Sequence, residues 1–213
     1  MSDEPTGLAD QSNVSQFVSD AYGDANSSMS ADDRAQALID DVNARLNQEG
    51  LPGLYWNWNA GAGDSGQFDF RSWTMELDAT AFDPARYEGG NEATRAELLD
   101  TIYHEARHSE QWFRIARERI GLGQPAADAA TTMGIPQWVA DLAAQNPILQ
   151  CDTSQYEAEQ WYQSIYGEGA DHRHEVLNDA DDRYDEYRAL PEEADAWSTG
   201  DSVTDEYTRA DPE

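Results

Sequence analysis

Apolar and polar positions change period several times along the chain, and each change marks an element. Residues 1–29 are rich in Ser, Asp, Asn and Gly, with Val14, Phe17, Val18 and Tyr22 spaced for one short helix, which predicts a flexible or loosely docked segment. Ser30 with Asp33 three residues on reads as a helix cap, and Ala35, Leu38, Ile39, Val42 and Leu46 follow at helical spacing to an end near Gly50. The period then falls to two at 54–58, at 67–70 and at 73–78, separated by the Gly-rich turn cluster at 60–66. These stretches predict two or three short strands in a small antiparallel sheet.

Loop signals at Asp83-Pro84 and Glu88-Gly89-Gly90 precede Asn91, a cap for a long helix that runs through Leu98, Leu99, Ile102 and Trp112 to about Ile120 and closes at Gly121. Beyond it the pattern is helical, punctuated by Pro and Gly: about 125–132, 136–144, 153–166, 172–190 and 191 onward. The fold class expected is α+β, mostly helical, with the small sheet before the long helix. Its main body spans 30–200, and 201–213 reads as an acidic tail.

Charge changes the picture next. The 213 residues include 43 acidic and 13 basic side chains, for a formal charge of -30, and every basic one is arginine. Such a surface repels nucleic acid and anionic lipid, and its self-repulsion is tolerable where about 1 M salt shortens the screening length to about 3 Å. Lysine-free, Asp-rich composition resembles that of proteins from salt-in halophiles, haloarchaea above all; avoidance of lysine-directed tagging in a target cell is the competing reading. Cys151 stands alone, which excludes an internal disulfide and suits a small buried residue. The first residues carry no basic, apolar leader, and no run approaches the roughly 18 apolar residues of a membrane span. A soluble protein without an ordinary signal peptide is expected, in the cytoplasm of a salt-in halophile or carried out by a dedicated particle.

The chemistry sits inside the long helix, at His104-Glu105-Ala106-Arg107-His108, a HExxH pattern. At 3.6 residues per turn both imidazoles lie on one face, one turn apart, placed to share a zinc ion, with Glu105 beside them as general base. Glu105 would take a proton from water and return it to a leaving amine. A catalytic zinc normally has a third protein ligand. Glu193, in the first turn of a helix opened by Pro191, is the leading candidate, and Glu157, on an aromatic helix, is the alternative. His172 and His174 face apart at their spacing; with Tyr166, Arg173, Tyr184 and Tyr187 they are candidates for oxyanion or substrate contacts. Gln111 is expected to line the cleft, and Arg107 to pair with carboxylates on a solvated face.

On these residues the chain resembles the zincin metallopeptidases. The segment Leu190-Pro-Glu-Glu-Ala-Asp-Ala-Trp197 looks like the helix that supplies the glutamate ligand in small gluzincin-type domains. The resemblance covers about 73–197 and implies a zincin-like fold, zinc as cofactor, His104, His108 and Glu193 as ligands, and peptide-bond hydrolysis of a protein or peptide substrate. The 85 positions between His108 and Glu193 depart from the short interval of the thermolysin type. A looser similarity, to zincin-like proteins of phage-tail-like injection particles, implies an alternative: an inactive structural or cargo component of a secreted particle. In a peptidase, residues 1–29 would suit a blocking pro-segment.

Overall fold

The apolar stripe near the N-terminus does form a helix, and it is firmly packed. In the computed structural model, which describes residues 7–26, 29–59, 65–83, 92–148, 153–180 and 182–210, a 3-10 turn at Gly7–Ala9 leads into α1 (Gln11–Asn26). Leu8, Val14, Phe17, Val18, Ala21 and Ala25 are buried, and α1 packs on α2 (Ala31–Gln48). Each large apolar side chain so buried contributes about 1.5 to 3 kcal/mol. Residues 7–26 are therefore part of the core, where a loosely docked segment was expected. A narrow apolar stripe outweighs a polar average, because only one face of a helix needs to be covered.

Ser30 caps α2 as its position implies: its hydroxyl accepts from the Asp33 N–H at 3.2 Å and donates to the Asp33 carboxylate at 2.7 Å. Arg34, fully buried, reaches the Asp24 and Ala25 carbonyls at 3.0 and 2.7 Å, satisfying acceptors at the end of α1. Gly50, at φ 71°, turns the chain out of α2.

Three strands follow: β1 (Tyr55–Trp58), β2 (Gly66–Asp69) and β3 (Thr74–Leu77). Their order is β1-β3-β2; β2 and β3 pair antiparallel, but β1 and β3 pair parallel. The sheet is mixed, which corrects the expected antiparallel one. Alternation in the sequence reports which face of a strand is covered and is silent on which strand lies beside it. Burial marks the central strand: Thr74, Met75 and Leu77 are buried, whereas β1 and β2 are edges with exposed positions. The turn between β2 and β3 ends at Trp73, whose φ of 60° is left-handed and whose side chain is fully buried. Such a conformation costs a non-glycine residue about 1 to 2 kcal/mol, which burial of the indole offsets.

The long helix, α3, runs over Glu92–Gly121. Gly121 is required where it ends, because a Cβ there would lie 1.8 Å from the Ile148 carbonyl oxygen. After it come α4 (Ala126–Met133), α5 (Gln137–Ala143), α6 (Thr153–Ile165), α7 (Ala170–Leu177), α8 (Tyr184–Arg188) and α9 (Pro191–Ala210). The single helix expected over 172–190 is thus two, parted near the Asn178-Asp179 run, where short polar side chains compete for the backbone. The expected acidic tail is the end of α9 as far as Ala210, with Val203 and Tyr207 buried. The loop signals at 84–91 with the Asn91 cap, most of the turn cluster at 60–66, and Cys151 lie outside the described residues.

The chain divides into two compact units. One comprises α1, α2, the sheet, α3 as far as Glu110, and α9 from Ser198 onward. The other comprises Phe70–Ser72 and Gln111–Trp197. Among the described residues, no helix is long and apolar enough to cross a membrane.

Candidate metal centre

Between Tyr103 and Ala116 nearly every residue of α3 is buried, although the stretch contains His104, Arg107, His108, Ser109, Glu110, Gln111 and Arg114. Charged side chains are almost never fully buried unless paired, so so polar a buried helix must satisfy its groups by specific contacts. In the first unit these fall on two faces.

One face carries Tyr103, Arg107 and Glu110, at helical spacing. The Glu110 carboxylate, wholly buried, lies 2.7 Å from Arg107 Nη1 and accepts the Leu8 N–H at 2.8 Å. The Tyr103 hydroxyl donates to the Leu8 carbonyl at 2.9 Å, and burial holds that hydroxyl well above its usual titration range. The backbone N–H and C=O of Leu8 are thereby both fastened to α3. Arg107, expected on a solvated face, is buried and ion-paired, because α3 has no solvated side at this level.

The other face carries His104, Glu105 and His108, the group whose ligand atoms all lie within 4.8 Å of one another. The two imidazoles stand edge to face, with centroids 4.8 Å apart and planes at 85°. Their Nε2 atoms are 3.2 Å apart. Two nitrogens each about 2.0 to 2.1 Å from one tetrahedral ion lie about 3.3 Å apart, so the separation of the pair matches what a shared metal ion requires. The same separation also suits one proton shared between the rings.

Glu105 is less buried than the histidines. Its Oε2 accepts the backbone N–H of Phe68, on β2, at 2.8 Å, and its Oε1 lies 3.8 Å from His104 Nε2. One oxygen is anchored to the sheet and the other faces the histidine pair.

The remaining predicted residues belong to the second unit. Glu193 is buried in the first turn of α9. Glu157 is exposed and ion-paired with Arg114 at 3.4 Å, which gives its carboxylate a partner unrelated to a metal. Gln111, fully buried, donates to the Glu192 carbonyl and to the Asp195 carboxylate at 2.8 and 2.7 Å. Arg173, a candidate oxyanion donor, is paired with the buried Glu192 at 2.6 Å. The Tyr166 hydroxyl accepts from Trp112 Nε1 at 3.0 Å and donates to the Met133 carbonyl at 2.8 Å, and burial pushes it up to about 12. This hydroxyl cross-links Trp112 and Met133. His172, His174 and Tyr184 are exposed, Tyr187 is half-buried, and Asn178 lies 3.1 Å from His174 Nε2.

Sequence reasoning missed the Phe68 amide, Glu110 and Tyr103. A backbone N–H carries no signature in the sequence. Glu110 was legible only as an acid two positions after His108 in a chain crowded with acids.

The chain matches no protein-family model, and neither a curated protein nor a solved structure is significantly similar to it.

Proposed function

We propose that this chain is a zinc-dependent metallopeptidase of zincin-like fold, with His104 and His108 as zinc ligands and Glu105 as general base. The observation that carries the reading is the 3.2 Å separation of the two Nε2 atoms beside a glutamate held in one orientation. Bound there, zinc would supply a Lewis acid that acidifies water and polarises a carbonyl. Glu105 Oε1 accepts a proton from water and delivers it to the leaving amine, while Oε2 stays on the Phe68 N–H. The resemblance assigns the third ligand to Glu193, and protein or peptide is the substrate class. The acid-rich, lysine-free composition calls for assays in high salt.

The test is zinc content by elemental analysis together with hydrolysis of casein. About one zinc per chain is expected in the wild type, lost in His104→Ala and in Glu193→Ala. Glu105→Gln keeps the zinc and loses hydrolysis. A wild type without zinc sinks the proposal, and zinc retained in Glu193→Ala removes that residue from the ligand set. Zinc without hydrolysis in the wild type leaves an inactive zinc-holding component, the reading a particle protein would satisfy.

A further inference from the structure

β2 is an edge of the sheet, yet the N–H of its Phe68 is directed to the Glu105 carboxylate, 37 positions along the chain. Five residues after Phe68 stands Trp73, the one described non-glycine residue with a positive φ. Its buried indole meets the Phe68 ring edge to face, with centroids 5.1 Å apart and planes at 88°. Backbone strain of this kind persists only where the surroundings over-determine it, and it collects at functional sites. Here the strained turn and the ring contact fix the strand residue whose amide reaches the site.

We infer that the Phe68 backbone amide is a positioning group for Glu105, held in place by Trp73. The inference rests on the reading of Glu105 as general base. A glutamate side chain has three rotatable bonds, and a single strong acceptor contact at Oε2 removes most of that freedom. The division of labour follows from the distances. Oε2 is the anchor at 2.8 Å from the amide nitrogen, and Oε1, 3.8 Å from His104 Nε2, is the oxygen that exchanges the proton. Partners of this kind, one step removed from the reacting atoms, are typically worth about 10- to 100-fold in activity.

Replacing the residue 68 amide by an ester in the full chain removes the N–H and keeps the Phe side chain. With casein as substrate in high salt, the ester protein is expected to hold the same zinc and show the same KM, with kcat lowered about 10- to 100-fold. Hydrogen exchange of the intact chain supplies a readout that needs neither zinc nor turnover. The Phe68 amide should exchange at least tenfold faster in Glu105→Ala than in the wild type, while the amides of β3 are unchanged. An unaltered kcat in the ester protein, or equal Phe68 exchange with and without the Glu105 carboxylate, overturns the inference. A wild type that hydrolyses nothing defeats the peptidase reading by itself, and the exchange comparison then upholds or overturns the anchor.

Discussion

Removing the carboxylate of Glu110 should be among the most damaging single changes in the first unit, and adding a second mutation should repair part of the damage. Glu110 is wholly buried, Arg107 nearly so, and their charged atoms are 2.7 Å apart. Glu110→Leu breaks the buried ion pair with Arg107, which costs about 3 to 5 kcal/mol. It also orphans the Leu8 N–H now held at 2.8 Å, for about 1 to 3 kcal/mol more. Arg107→Leu/Glu110→Leu removes both charges of the pair and still orphans the Leu8 N–H. The double variant should therefore be more stable than Glu110→Leu by about 3 to 5 kcal/mol. Against a typical domain stability of about 5 to 15 kcal/mol, both differences are large. Urea titration at constant high potassium chloride, followed by circular dichroism, measures them as shifts of midpoint at constant slope. A double variant no more stable than Glu110→Leu, or a single variant within about 1 kcal/mol of wild type, would refute the argument that an uncompensated buried charge is what the pair prevents.

Two further predictions concern stability alone. Burial, reinforced by Asp24, Asp20 and Asp40, pushes the Asp41 carboxyl up to about 6. The folded state thus binds this proton more tightly than the unfolded chain, so its charge costs stability above pH 6, and that cost is relieved as pH falls toward about 4. The group is half-buried, and solvent screening leaves about 1 kcal/mol; Asp41→Asn should add that much at pH 7 and nothing at pH 4, and equal effects at both values would exclude the cause. Tyr166→Phe strips the Trp112 N–H and the Met133 carbonyl of their shared partner, with an expected loss of about 1 to 3 kcal/mol by thermal or urea melting; an unchanged melt would show that water replaces the hydroxyl.

The chain's own pattern settled whatever depends on near neighbours. The cap at Ser30, the apolar stripe of α2, the long helix around 92–121 and the two imidazoles one turn apart on it follow from 3.6-residue geometry acting within a few positions. Two or three short strands were legible from period two, and the structure has three. Tertiary structure decided everything that joins distant positions: which strand lies beside which, that residues 7–26 enter the core, that Arg107 is buried, and that Tyr166 is a cross-link. The anchor on Glu105 belongs to the same class. It comes from the backbone of Phe68, a group every residue except proline possesses, and only the fold determines which one points at the carboxylate. Side-chain period tells a residue which face it occupies; the partner across that face is chosen by packing of the whole chain, because burial rewards any complementary surface regardless of its place in the sequence.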